Sequence, residues 1–303
     1  MDETRASAVG PRITGILMLV GAVLCFSGID ASAKWLGRTM PPLQTASVRY
    51  LGSFLLTLLF LNPVTRPGVF RTRRPGLQCV RALCLVTATL MGFTAIRFLR
   101  ISELTTINFA SPLIVALLAG PLLGERIGPR RLVAVLVGFV GVLIVTRPGS
   151  GSFQPAALLV LVAALANAFY SIATRRLAAH DAPETTMVYT VLVGAALAAP
   201  VLPLVWHAPD RAITWLVIAL IGACGALGHW LLILAHKRCP ASVLAPFYYA
   251  QLLSAVVIGA VVFDEAPDRW TLVGGSIVIG SGLYLLYRER VRHKPVPSTD
   301  VAA

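Results

Sequence analysis

Apolar residues fall into ten long blocks along the chain, separated by short polar interruptions. The blocks begin near Ile13, Leu43, Gly76, Leu104 and Leu132, then near Phe153, Thr185, Ile213, Ala241 and Trp270. A helix needs about 20 mostly apolar residues to cross the hydrocarbon of a bilayer. Proline and glycine punctuate the breaks, at Pro41-Pro42, Pro63, Pro67-Gly68, Pro75-Gly76, Pro129, Pro148-Gly149, Pro183, Pro209 and Pro267. The pattern predicts an all-α membrane protein of ten transmembrane helices (spans 1 to 10). Only residues 1–12 and 289–303 read as polar tails.

The second five blocks follow the first five at a spacing of about 140 residues. At that offset Ala95–Glu125 aligns with Ala235–Glu265, pairing Ser102 with Ser242, Leu104 with Leu244, Ala110 with Ala250, Leu113 with Leu253 and Glu125 with Glu265. Five is an odd number, so a second copy must enter the membrane from the opposite face. Charge tests this independently. The matched loops Gly124–Arg131 and Phe263–Trp270 carry three arginines with one acid and three acids with one arginine, respectively. Short cytoplasmic loops collect Lys and Arg, and loops on the other face do not. Most of the 26 Lys and Arg lie in the two tails and the loops after spans 2, 4, 6 and 8. We therefore expect two inverted five-helix repeats, residues 13–147 and 153–288, with both termini cytoplasmic. Inverted repeats are a feature of transporters.

Composition agrees with the block pattern. A chain with 57% hydrophobic and 13% charged residues has too little charge to coat a soluble domain of this length. The formal charge of +13 sits in loops between apolar blocks, so its partner is the anionic cytoplasmic leaflet rather than nucleic acid. The five cysteines lie in or beside apolar runs with no Cys-x-x-Cys pair, and read as small hydrophobes. Ile13–Ile29 followed by Ala31-Ser32-Ala33 mimics a signal peptide and its cleavage site. Losing it would strip the first repeat of its opening helix, so it reads as span 1.

No catalytic motif is visible: there is no Gly-x-Ser-x-Gly, no phosphate loop, no His-Glu-x-x-His and no pair of acids within a span. An enzyme, a metal site and a bound cofactor are not expected. The glycines at 222, 225 and 228, at 138 and 141, and at 274, 275, 280 and 282 read as close-packing positions. Polar residues inside spans are the stronger lead, because burying them without partners is costly. Asn108 and Ser111 share one face of span 4, and the offset maps them onto Tyr248 and Gln251 in span 9. The same offset pairs Thr89 with His229 and Ser27 with Asn167. Together with Phe93 and Tyr170 these residues are expected to line a central cavity that stacks planar groups and holds polar ends. Pro112 and Pro246 fall beside the polar pairs, where a proline frees a carbonyl and kinks the helix, and are candidate hinges. Asp30, Lys34 and Arg49 form a charge cluster near the outer ends of spans 1 and 2. It would gate the cavity or attract a carboxylate, unless Lys34 and Arg49 snorkel to the interface. Glu125 and Glu265, at the heads of spans 5 and 10, read as structural.

Several segments resemble the EamA family of the drug/metabolite transporter superfamily. They are Asp30-Ala31-Ser32-Ala33-Lys34-Trp35 closing span 1, Arg49 in span 2, Ser111-Pro112 running into Leu123-Gly124-Glu125-Arg126, and the second copy around Asp264-Glu265. The resemblance covers roughly Ile13 to Tyr287. It implies ten helices in two inverted repeats, with spans 5 and 10 peripheral and a cavity between the halves. It also implies a small-molecule substrate and a monomer or homodimer in the inner (plasma) membrane. The aromatic, phosphate-unfriendly cavity points to export of neutral amino acids, aromatic ones first, or related metabolites by alternating access. Uptake of an organic metabolite such as riboflavin or S-adenosylmethionine is the alternative. A membrane-embedded enzyme on lipid-linked substrates would need acids or histidines clustered at one membrane face, and a purely structural bundle would not need matched polar pairs.

Overall fold

A computed structural model describes residues 3–62, 64–123, 128–150, 153–239 and 241–292. It is helical throughout, with no strand among the described residues. The helices are α1 (Glu3–Leu36), α2 (Pro42–Phe60), α3 (Pro75–Ala95), α4 (Ile101–Asn108), α5 (Ala110–Leu123) and α6 (Pro129–Thr146). They continue as α7 (Ala156–Leu177), α8 (Pro183–Val205), α9 (Ala212–Arg238), α10 (Ala241–Leu244), a 3-10 turn (Ala245–Tyr249), α11 (Ala250–Phe263) and α12 (Arg269–Arg292). Among the described residues, ten stretches are long and apolar enough to cross a membrane, beginning within a few residues of the expected starts. Helices are the natural outcome, since hydrocarbon offers no partner for a free backbone N–H or C=O. Four of them (α2, α3, α6 and α8) start on a proline, whose missing N–H costs nothing in a first turn.

Spans 4 and 9 are broken. Span 4 divides at Phe109 between α4 and α5, and Pro112 lies in the first turn of α5. Proline has no N–H to offer the carbonyl four residues back, here that of Asn108. Span 9 begins as the single turn α10 and tightens into the 3-10 turn around Pro246 before α11 resumes. Residues 3–12, read from the sequence as part of a polar tail, are helical and extend α1 back to Glu3. Glu, Arg and Ala are good helix formers, and extending an existing helix needs no new nucleus. Glu265 does not head span 10: α12 starts at Arg269. Its partner in the repeat, Glu125, lies outside the described residues.

The exterior is apolar, and the interior mixes an apolar core with buried polar side chains. Gln44, Gln78, Ser53, Thr57, Thr106, Arg49 and Arg81 are buried, whereas Leu17, Leu55, Leu216 and Val261 are more than half exposed. That is the arrangement expected where lipid surrounds the bundle. The cysteines follow it loosely: Cys239 is buried, but Cys79 faces outward.

The main pairings each join a helix from the first five spans to one from the last five. α1 packs along α9, α3 along α7, α2 along α8 and α9, and α6 along α12. The other contacts of α6 and α12 are chiefly with spans 4 and 9. Small residues set the closest approaches. A Cβ added at Gly141 would stand 2.8 Å from the carbonyl oxygen of Gly274, and one at Gly222 would stand 3.1 Å from Cα of Gly52. Hydroxyls reinforce the same seams, Ser53 donating to Gly222 O at 3.0 Å and Ser281 to Ala134 O at 2.6 Å.

Gly141→Val forces α6 away from α12. We expect a loss of about 1–3 kcal/mol, in the range for overpacking a tight interior. A thermal melt of the purified protein in detergent should fall by several degrees, and an unchanged melting temperature would refute the close contact.

Candidate functional site

Seven helices converge on a cavity of about 250 Å³ near the middle of the bundle. Asp30 reaches it from α1, Arg49 from α2, Thr89 and Phe93 from α3, and Asn108 from the broken end of α4. Asn167 and Tyr170 face it from α7, His229 from α9 and Gln251 from the start of α11. The break in span 4 matters here, since it puts the side chain of Asn108 at a helix terminus with its own carbonyl relieved of a proline N–H. Asn167 donates to Asn108 Oδ1 at 3.1 Å, joining α7 to α4. The Gln251 side chain donates to the Asp30 carboxyl, joining α11 to α1.

Arg49 is 7% exposed and does not snorkel. Its guanidinium donates to Thr89 Oγ1 at 3.0 Å, and Thr89 Oγ1 also meets the Tyr50 hydroxyl at 3.0 Å. The cation lies 4.8 Å from the centre of the Tyr50 ring and 6.0 Å from that of Phe93. Its Nε is buried without a hydrogen-bond partner. Asp30 is close enough for its charge to interact with that of Arg49, yet the two make no ion-pair contact. Two opposite charges therefore border one void and leave room between them. Phe26, Phe93 and Tyr170 supply aromatic wall, with Phe26 tilted against His229 at 5.2 Å between ring centres.

A second cavity of about 520 Å³ adjoins the first, with Tyr170, His229 and Leu232 lining both. Arg81, Thr174, Thr186, Thr190 and Tyr248 line its deep part, and Asp181, His236 and Lys237 line its mouth. Asp181 ties the segment before α3 to the α7–α8 loop. Its carboxylate accepts from the Thr72 hydroxyl, from the Arg73 backbone N–H at 3.0 Å and from Gln78 Nε2 at 2.9 Å. Burial alone would raise this carboxyl, but these hydrogen bonds, aided by His180, hold it below the usual carboxylate value.

At the far end of the bundle Lys34 pairs with Glu265 at 2.8 Å and donates to Leu99 O at 2.7 Å. Beside it Arg147 pairs with Asp268 at 2.7 Å. Burial pushes the Asp268 carboxyl up, but the backbone N–H and hydroxyl of Thr271, with Arg147 and Arg100, bring it below its ordinary value. The cluster thus stitches the loop after span 9 to the ends of spans 1 and 5.

Of the residues singled out from the sequence, Asp30, Arg49, Thr89, Phe93, Asn108, Asn167, Tyr170, His229 and Gln251 meet at the central cavity. Tyr248 lines the adjoining one instead. Ser27 and Ser111 line neither: Ser27 meets Ser254 at 2.5 Å across α1 and α11, and Ser111 is buried in α5. Lys34 belongs with Glu265, apart from Asp30 and Arg49. Arg81 was missed, although an arginine inside an apolar run was the signal. The pairing of Glu265 was missed too, and its only sequence cue was a shared membrane face with Lys34. No cluster of His, Cys, Asp or Glu able to hold a metal occurs among the described residues.

The family model described as the EamA-like transporter family matches residues 13–147 and again 154–288. An S-adenosylmethionine uptake transporter of Rickettsia conorii is 26% identical, covering 93% of this chain and 96% of that protein. A riboflavin transporter of Vibrio cholerae is 28% identical over 91% of this chain and 94% of its own length. A pseudopaline exporter of Pseudomonas aeruginosa is 27% identical over 88% and 93%. A solved structure, described only as a crystal structure of a protein, superposes with a TM-score of 0.66 at 20% identity, covering 93% of this chain and all of that one. It shares the fold.

Because the folded carboxyl of Asp181 lies below its unfolded value, its contribution is present above about pH 4 and is lost as pH falls through the folded value. Asp181→Asn should cost about 1–2 kcal/mol at neutral pH and flatten the acid limb of a stability-against-pH curve. An acid limb identical to wild type would show that the carboxylate does not hold these loops.

Proposed function

The chain belongs to the EamA-like transporter family, and on that premise we propose that it carries a zwitterionic, amino-acid-type metabolite with a planar or apolar body. The chain is a multi-pass inner-membrane transporter. One observation carries the substrate reading: Asp30 and Arg49 border the same cavity without contacting each other. An α-amino acid brings an ammonium for the first and a carboxylate for the second. Phe26, Phe93 and Tyr170 offer faces for an aromatic side chain, and Asn108, Asn167 and Gln251 offer amides for the polar end. A ligand that neutralises both charges removes the cost of keeping them from water.

Transport proceeds by alternating access between two inverted five-helix halves, residues 13–147 and 153–288, with both termini cytoplasmic. Support comes from the doubled family match and from the pairings: exchanging the halves turns α1 on α9 into α7 on α3. The breaks near Pro112 and Pro246 serve as hinges. The ion pair of Lys34 with Glu265 closes the outer side while the cavity behind Arg81 opens to the cytoplasm. In the first reading the substrate is a neutral, aromatic amino acid and the direction is export.

Uptake of S-adenosylmethionine is the second reading, favoured by the relatives of that name. It presents the same amino-acid end with a planar purine, and adds a permanent cation. Riboflavin lacks the zwitterionic end and would leave Asp30 and Arg49 unused.

Proteoliposomes loaded with labelled L-phenylalanine, S-adenosylmethionine or riboflavin test both readings in either direction. A net-neutral amino acid should move independently of membrane potential, whereas a cation gains about 2.3 kcal/mol per 100 mV. Arg49→Gln and Asp30→Asn should each weaken transport about 10- to 100-fold, as for lost hydrogen bonds to charged groups. Wild-type rates in both variants, or movement of riboflavin alone, would end the zwitterion reading.

The outer closure has its own test in the same vesicles. Lys34→Glu and Glu265→Lys should each impair exchange, and combining them should restore most of it. If the double variant is no better than the worse single one, the pair does not act as a latch.

A further inference from the structure

We propose that the cavity adjoining the central one is a second, carboxylate-selective binding station centred on Arg81. The inference rests on the transporter reading above but makes its own claim about where an anion sits. Arg81 belongs to α3, a third of the way into an apolar span, and is 4% exposed. Its Nε donates to Thr174 Oγ1 at 2.6 Å, and Nη1 donates to Thr186 O at 3.1 Å and to the Thr190 hydroxyl. Nη2 donates to the Tyr170 hydroxyl at 2.7 Å. Every one of these acceptors is neutral. No carboxylate among the described residues lies within ion-pair distance of the guanidinium.

An arginine keeps its proton in any protein environment. Its charge, buried here, is costly unless a counter-charge arrives. Four hydrogen bonds hold the fork in one orientation, and one N–H of Nη2 is left over. That is a preorganised group whose positive field points into a cavity of about 520 Å³. The acids nearby are already engaged: Asp181 with Thr72, Arg73 and Gln78, and Glu184 with Lys237. The two stations therefore differ in chemistry. The central cavity offers both signs of charge, whereas Arg81 offers only the positive one and has no acid poised for an ammonium.

Tyr170 links the two, since its hydroxyl accepts from Arg81 while its side chain also lines the central cavity. A carboxylate leaving Arg49 thus passes to Arg81 along a wall of Tyr170 and His229, never facing hydrocarbon alone. The same arginine also ties α3 to α7 and α8, so its test must separate ligand binding from stapling.

Benzoate is a suitable probe, being a planar carboxylate without an ammonium. Its equilibrium binding to the purified full-length protein in lipid nanodiscs should weaken at least tenfold in Arg81→Gln. In Arg49→Gln it should stay within about twofold of wild type, because Asp30 disfavours a bare anion in the central cavity. Ile233→Trp provides the second variant: it fills the cavity from α9 and leaves the hydrogen bonds of Arg81 in place, so it should abolish benzoate binding in a folded protein. Absence of binding to the wild type would overturn the station, as would undiminished binding to Ile233→Trp or to a folded Arg81→Gln. Benzoate binding that persists when no zwitterion is transported would sink the substrate reading and leave the station standing. Zwitterion transport without benzoate binding would do the reverse.

Discussion

A formal charge inside the hydrocarbon region must be met by the protein itself, and the layout of this bundle follows from that requirement. Arg49, Arg81, Asp30 and Lys34 all lie below the lipid-facing surface, and each is met differently. Lys34 has a direct counter-ion, Arg81 has a ring of neutral acceptors, and Arg49 and Asp30 share a void. Polar side chains such as Thr89, Thr174, Thr190 and Gln251 gather around these groups, set among the buried leucines and isoleucines of the core. Apolar side chains also cover the perimeter, where Leu17, Leu55, Leu216 and Val261 are exposed. The helices are held together by close backbone approach and hydroxyl contacts, because lipid already solvates leucine as well as another helix would.

The three polar regions form a graded series along the bundle. At one end, acids and bases contact each other directly, with Lys34 on Glu265 and Arg147 on Asp268. In the middle, opposite charges face one another across a gap. Toward the other end a cation stands among neutral acceptors, beside a mouth bearing Lys237 and His236. The series runs from charges paired within the chain, through opposite charges kept apart, to a charge met only by neutral groups.

Ten spans were legible because hydrophobic block length is a strong signal that needs no tertiary information. The broken span 4 was half legible: Pro112 announced a kink, but not that Asn108 would be left at a helix end. The helical start at Glu3 was hidden, since polar residues carry no periodic apolar stripe. Site residues were harder. Spacing shows which side chains share a helix face but not toward which neighbour that face turns. Asn108 and Gln251 turned inward to one cavity, while Tyr248 opened on the next. Ser27 and Ser111 misled because a hydroxyl is easily satisfied, as Ser254 satisfies Ser27. Arg81 lies a third of the way into span 3. Depth along the span is readable from sequence, but burial on the inward face is not.

The interleaving of the helices constrains how the protein can be made. α1 finds its main neighbour in α9, and α3 finds its own in α7. A ribosome delivers α1 long before α9, so the first helix waits in the membrane with Ser27 and Asp30 lacking the contacts that Ser254 and Gln251 later supply. The first five spans are thus an unclosed set of surfaces, and the chain cannot mature half by half as a tandem of soluble domains can. Assembly is a late event, gated by synthesis of the last helices. A truncated chain would present the quality-control machinery with polar groups exposed to lipid rather than with a smaller working unit.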